Sequence, residues 1–299
     1  MTSIARLLAK VAIGACAVAG VASQAAAAPP EGMKLYTFTS YPLDIAKSAL
    51  SSAATGDEKI IVPVGFFLIK HPKGNILFDT GDNDKVIADK TYWGPMAAML
   101  DKGVSADLAI DTQLDKVGIK PSDINYVILG HMHLDHAGNV GKFPNATIVV
   151  QHDEIINAFW PPKSFAGVYI SGDFEGLRSQ TGAPSAGKQP MIELNGDLDL
   201  FGDGSVYIHR SAGHTPGSQM AVIRLPKSGT IILTSDACYL QENLAKDIQP
   251  SIGLAYNPPE IMNGYAYIKR VRDTEKGQVF MAHDAEGFKE RKKSPEFYE

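Results

Sequence analysis

The sequence predicts a layered α+β domain. Three observations carry that expectation: short runs of β-branched and aromatic residues recur along most of the chain, turn residues punctuate them, and only a few stretches repeat with a helical period. A chain of 299 residues with 44% hydrophobic content can bury a core of domain size, so disorder is excluded as its general state. Strand faces and helix stripes of this kind become stable by packing on one another in layers.

In chain order, strands are expected at 35–39, 60–70, 75–78, 126–129, 147–150, 206–211, 219–225, 230–234 and 279–281. Pro72-Lys73-Gly74 and Pro226-Lys227-Ser228-Gly229 are turn sequences, so the strands beside them read as hairpins. Helices are expected over 106–117, where Leu108, Leu114 and Val117 share a face, around 153–159, and over 259–274, which opens on a proline. Residues 160–190 are rich in Pro, Gly and Ser without a period, which reads as a loop excursion from the domain.

Residues 1–27 stand apart. Arg6 and Lys10 precede an uncharged run over 11–22, followed by small residues that offer cleavage after about Ala25 or Ala27, so this segment reads as a secretory signal peptide. The run falls short of the roughly 20 apolar residues that a membrane-spanning helix needs, and no other segment approaches a span. The expectation is a periplasmic or secreted protein whose residues 28–299 form one domain. Cleavage removes Cys16 and leaves Cys238 as the one thiol, so no internal disulfide is available and stability must come from packing or bound metal. With 28 basic against 33 acidic residues, a net −5 and no basic block, nucleic acid and anionic lipid are poor partners.

The chemistry concentrates in Gly130-His131-Met132-His133-Leu134-Asp135-His136-Ala137-Gly138, directly after an expected strand. With 8 His and 21 Asp in the chain, His-x-His-x-Asp-His arises by chance in about four of ten thousand such sequences, which makes coincidence a poor account. Residues i and i+2 of an extended segment share a face, so His131 and His133 can converge on one ion, while Asp135 and His136 lie beyond the bend and can turn to a second. Imidazole and carboxylate suit a borderline divalent ion: zinc, manganese, iron or cobalt. Further ligand candidates stand where strands give way to loops: His214 in Gly213-His214-Thr215-Pro216-Gly217, Asp236 after 231–235, and His283 after 279–282. His71, His152 and His209 match no ligand position and read as surface or satisfied core histidines.

These motifs resemble the metallo-β-lactamase superfamily, and within it the N-acyl homoserine lactonases that degrade quorum-sensing signals. The resemblance runs from Leu77-Phe78-Asp79-Thr80-Gly81 through 119–129 and the His-rich motif to Gly213–Gly217, Ser235-Asp236-Ala237-Cys238-Tyr239 and Ala282-His283-Asp284. It implies a four-layered αββα sandwich holding two divalent ions, zinc first among them. His131, His133 and His214 would hold one, Asp135, His136 and His283 the other, and Asp236 would bridge; Asp79 would support the ligands from behind.

The implied reaction is attack of a metal-bridging hydroxide on a lactone carbonyl. Tyr239 would steady the oxyanion and Asp135 would pass a proton to the leaving alkoxide. The small-molecule substrate is an N-acyl homoserine lactone, or another ester of the aryl, phosphotriester or lactone kind; homodimer formation stays open. A β-lactamase, an electron-transfer di-iron protein and a metal-binding module fit the residues less well.

Strand geometry sets one tension: if 236–239 stays extended, Cys238 and not Tyr239 shares the face of Asp236. Two residues also depart from the lactonase pattern, Gly130 where a hydroxyl often precedes the first ligand and Ser218 where a histidine is common. Trp160, Phe165, Tyr169, Trp93, Met96 and Met99 are candidates for a wall against a fatty-acyl tail.

Overall fold

The computed structural model describes residues 28–178 and 189–299, so the expected leader and part of the 160–190 excursion lie outside the described residues. Thirteen strands are present among those described: β1 Lys34–Thr39, β2 Leu43–Ala46, β3 Lys59–Val62, β4 Gly65–His71, β5 Gly74–Phe78, β6 Ile124–Ile128, β7 Thr147–Gln151, β8 Met191–Leu194, β9 Leu198–Asp199, β10 Val206–Arg210, β11 Gln219–Leu225, β12 Gly229–Leu233 and β13 Gln278–Phe280. They form a six-stranded sheet in the order β1-β4-β5-β6-β7-β8, a five-stranded sheet in the order β13-β12-β11-β10-β9, and a β2-β3 hairpin.

The period of two along each strand sorts side chains into layers. In β4, Phe67 and Ile69 face the space between the sheets while Phe66 and Leu68 face outward; β5 repeats this with Ile76 and Phe78 against Leu77. In the second sheet Ala221, Ile223, Ile231 and Leu233 meet the first, and Met220, Val222 and Ile232 turn away. Each outward face is covered by helices, Ile110–Asp115 and His152–Phe159 on the first sheet and Pro258–Glu275 on the second. Helix, sheet, sheet, helix is the αββα sandwich, with three apolar cores in series. Burying a side chain such as Phe78 or Ile231 fully contributes about 1.5–3 kcal/mol before entropy is counted.

Both turn sequences close antiparallel hairpins, β4 with β5 and β11 with β12. The expected strand over 60–70 is two strands: Pro63 cannot donate to a ladder, and β3 pairs with β2 whereas β4 joins the large sheet. The helix expected over 106–117 breaks at Ala109 into a 3-10 turn, Ala106–Leu108, and the helix Ile110–Asp115, because the Asp84 carboxylate accepts the Ile110 N–H at 3.2 Å. The excursion is partly ordered by a helix at Ser171–Arg178, a correction to its reading as irregular chain. Helices Gln241–Lys246 and Ala285–Glu290 and strands β2, β8 and β9 escape the sequence reading. No helix among the described residues is long and apolar enough to cross a membrane.

Strand direction then positions the chemistry. β5 and β6 run parallel in one sheet, β12 and β13 in the other, and the chain leaving their carboxyl ends carries Asp79, His131, Asp236 and His283. The two sheets are joined along this edge, where Gln219 N–H donates to Gly130 O at 2.8 Å and Gln219 Nε2 to Leu129 O at 2.8 Å.

Candidate metal centre

All seven ligand candidates meet at that edge. His131, His133 and His214 form one group, Asp135, His136 and His283 another, and Asp236 groups with His131 and His136 between them; within each group the ligand atoms lie within 4.8 Å of one another. The five histidines and Asp236 are buried, and Asp135 is partly open to the pocket. Asp236 presents one oxygen to each side. Its Oδ1 lies 3.1 Å from Nε2 of both His136 and His283, and its Oδ2 lies 3.5 Å from His214 Nε2 and 3.9 Å from His131 Nε2.

The outer ring nitrogens decide what the inner ones can do. His214 Nδ1 is 2.8 Å from Leu254 O and His283 Nδ1 is 2.9 Å from Pro63 O; carbonyls only accept, so both Nδ1 atoms carry hydrogen. His136 Nδ1 donates to Asp79 Oδ2 at 2.8 Å. The Nε2 atoms therefore face inward as donors of electron pairs, yet they approach one another: His136 to His283 at 3.3 Å, and His214 to His131 at 3.2 Å. Facing lone pairs need a proton or a cation between them. Asp236 Oδ1, buried and facing no polar partner among the described residues besides the His136 and His283 Nε2 atoms 3.1 Å away, adds an anionic ligand. This nitrogen and oxygen donor set fits divalent cations.

Burial and charge divide the two groups. Desolvation, reinforced by neighbouring imidazoles, holds His131 and His133 well below the ordinary histidine range, and burial lowers His214 as well. Burial also opposes the charged form of His136 and His283, but Asp236 and Asp135 outweigh it and raise both, with Asp79 adding to the effect at His136. Asp236 in turn is held well below the carboxylate range, its burial overcome by His136 and His283.

Gly130 has a packing reason. A Cβ there would come 2.3 Å from Ser235 Oγ, and the Gly130 N–H donates to Asp79 Oδ1 at 2.6 Å. The hydroxyl missing at 130 comes from Ser235, which has φ 45° and donates to Asp79 Oδ2 at 2.8 Å. Asp79 itself has φ 59°, an uncommon conformation for a non-glycine residue that turns its carboxylate under His136. Ser218 closes the His214 turn by donating to Ser211 O at 2.7 Å.

The chain bends at Ser235–Ala237, a 3-10 turn, and this resolves the tension over Tyr239. Its hydroxyl reaches 2.9 Å from His214 Nδ1, while Cys238 is buried on the other side with its thiol toward Leu240 O. Beside the centre lies a narrow cavity of about 60 Å³ walled by Leu43, Ile45, Leu50, Val62, Met99, Leu134, Val168 and Leu254. Of the expected acyl wall, Met99 is there, and Phe165 and Tyr169 border a second, smaller cleft against His133 and His214. Trp93 is buried in the core with Met96 packed against it, and Trp160 is 65% exposed on an outer groove. The β2-β3 hairpin supplies the wall instead; the alternation of Leu43 and Ile45 is its one sequence signal. His71, His152 and His209 bind elsewhere, to Lys73 N–H, Glu193 and Asp197.

An αββα sandwich with a buried His/Asp centre where its two sheets meet defines a class, and the profile of the metallo-beta-lactamase superfamily matches residues 62–263. Within that superfamily the chain belongs to the N-acyl homoserine lactonases. It is 35% identical over 245 residues to N-acyl homoserine lactonase AttM of Azorhizobium caulinodans, covering 80% of this chain and 88% of the relative. It is 30% identical over 275 residues to the N-acyl homoserine lactonase of Bacillus cereus, covering 88% and 98%. A solved N-acyl homoserine lactone hydrolase, with the product N-hexanoyl-L-homoserine at its catalytic metal center, superposes with a TM-score of 0.75 at 26% identity, covering 89% of this chain and 98% of that one.

Proposed function

We propose that this chain is a metal-dependent hydrolase that opens the lactone ring of N-acyl homoserine lactones, using two divalent cations, zinc first among them. His131, His133 and His214 would hold one and Asp135, His136 and His283 the other, with the Asp236 carboxylate between the two groups. The single observation that carries the reading is the inward-facing donor set, whose outer nitrogens on His136, His214 and His283 are tied to fixed acceptors. Bound there, the cations would polarise the ester carbonyl and make water a usable nucleophile near neutral pH.

The protein's own groups do the rest. Tyr239 Oη lies 2.9 Å from His214 Nδ1, whose hydrogen is held by Leu254 O and which therefore cannot accept, so the phenol hydrogen is not taken there and can turn to the oxyanion that develops on the carbonyl. Burial and the Asp236 charge raise Tyr239 well above the usual tyrosine value, so it stays protonated. Asp135, lining the cavity with its carboxylate 3.5 Å from His283 Nε2, takes up the proton that the attacking water releases and passes it to the alkoxide that leaves the ring. The apolar wall excludes water and seats the acyl chain.

The test is a hydrolysis panel of acyl-homoserine lactones against aryl esters and phosphotriesters, run before and after chelation. The expected outcome is a better than tenfold preference for the lactones, loss of turnover on chelation and its return with zinc. Tyr239→Phe should lower kcat by about 10²–10³-fold with metal content unchanged. Activity that survives metal removal overturns the mechanism, and a tenfold preference for another ester class overturns the substrate.

A further inference from the structure

The three-histidine group lacks what the other group has. His136 leans on the Asp79 carboxylate and shares its group with Asp135, whereas His131, His133 and His214 are three imidazoles whose one carboxylate neighbour is the shared Asp236. Beneath their loops lies a fully buried acid that the mechanism does not use. Glu154, in the helix His152–Phe159, is 0% exposed.

Its four hydrogen bonds go to three segments. Oε1 accepts from the Met132 N–H at 2.8 Å and from the Tyr169 hydroxyl at 3.2 Å; Oε2 accepts from the Thr215 hydroxyl at 2.5 Å and from the Gly217 N–H at 3.3 Å. Met132 lies between His131 and His133, Thr215 follows His214, and the Tyr169 ring stands edge-on to the His133 ring at 4.7 Å. Gly217 lets the loop come this close, since a Cβ there would meet the Glu154 backbone nitrogen at 2.2 Å. The two N–H groups can only donate, and Asn157 Nδ2 donates to the Tyr169 oxygen at 2.7 Å, which turns the phenol hydrogen toward Glu154. Four donors around two oxygens demand an ionised carboxylate.

We infer that Glu154 is the positioning residue of the three-histidine half of the centre, clamping the 131–133 and 214–217 loops so that three neutral imidazoles converge on one cation and adding a negative charge behind them. This rests on the two-cation reading. Partners that hydrogen-bond metal ligands directly are worth about 10–100-fold in metal affinity, and Glu154, which holds the ligand loops through Met132, Thr215 and Gly217, is expected to act on that scale. Glu154→Gln keeps the size and removes one acceptor, so one loop must face an amide N–H.

The experiment is zinc titration of purified apoprotein in two backgrounds. His283→Ala leaves the three-histidine group, and His214→Ala leaves the other. Glu154→Gln should weaken zinc about 10–100-fold in the first background and change it less than threefold in the second. Equal weakening in both, the mark of general loosening, overturns the inference, and so does no change in either. The parent protein is titrated first: a capacity below two ions refutes the two-cation reading itself, and the assignment of Glu154 falls with it.

Discussion

The two halves of the candidate metal centre are held by different parts of the molecule. The Asp135, His136 and His283 half is fixed by strand ends: His136 O accepts from Thr80 N–H at 2.7 Å just beyond β5, His136 Nδ1 meets Asp79, and Gly65 N–H at the start of β4 donates to Ala282 O at 3.0 Å. The three-histidine half is fixed by loops and by the excursion. Leu134 N–H donates to Val168 O at 3.0 Å, Tyr169 covers His133, and His214 is tied to Leu254 and Tyr239. One half is thus part of the sheet framework, and the other depends on loops held to one another by backbone and side-chain contacts. The electrostatics follow the same division, with carboxylates raising the basicity of His136 and His283 and burial suppressing it at His131, His133 and His214.

Asp236 is the one side chain common to both halves, so its removal is the most severe break. Asp236→Ala should lower lactone turnover by at least about 10³-fold, since Lewis-acid assistance is worth several kcal/mol, and elemental analysis should find both ions weakened. Two ions held as tightly as before would mean that the halves are independent sites. A smaller effect should sharpen the asymmetry. Asp79→Asn removes the charge behind His136, whose Nδ1–H it accepts, along with an acceptor for Ser235 and Gly130. Zinc affinity should fall about 10–100-fold in a His214→Ala background and barely move in His283→Ala, the mirror image of Glu154→Gln.

The sequence shows the framework half more clearly than the loop half. Strands β4, β5, β11 and β12 declare themselves as continuous apolar runs because both of their faces are buried, and the ligand candidates at 131–136 are legible because four of them fall within six residues. The parts that stay hidden owe their order to distant partners. β2 is a four-residue strand held by pairing with β3, such as Leu43 with Val62, and carries too few residues for a period. Glu154 looks in sequence like any acid in the first turn of a helix; only the convergence of Met132, Thr215, Gly217 and Tyr169 sets it apart. Ser235 supplies the hydroxyl that Gly130 lacks from a position 105 residues away, which no local pattern encodes. The helix Ser171–Arg178 sits in a Pro/Gly/Ser-rich stretch; it buries Phe174 and Leu177 in the first core, and its polar anchor is the acid Asp173.

That anchor gives the mildest break, and one with a sign. Asp173 Oδ1 accepts from Asn83 Nδ2 and the Tyr92 hydroxyl, both at 2.7 Å, while its Oδ2 is buried without a partner. Burial raises Asp173 to about 7 despite those two hydrogen bonds. The folded chain therefore holds this proton more tightly than the unfolded chain, whose aspartates titrate near ~3.9. The group's contribution to stability is full below that value and is lost as the pH rises through about 7, where the buried carboxylate ionises. Asp173→Asn keeps the Oδ1 acceptor and replaces the unpaired oxygen with a neutral amide. It should stabilise the protein at pH 8 by on the order of 2 kcal/mol, allowing for local relaxation, and much less at pH 5.5. Thermal melts at the two pH values check this, and an equal shift at both would show that the carboxylate is ionised throughout. Because Val168 and Tyr169 link the same segment to Leu134 and His133, the gain at pH 8 should be accompanied by tighter zinc binding in the three-histidine half, with no change in the half that the strands hold.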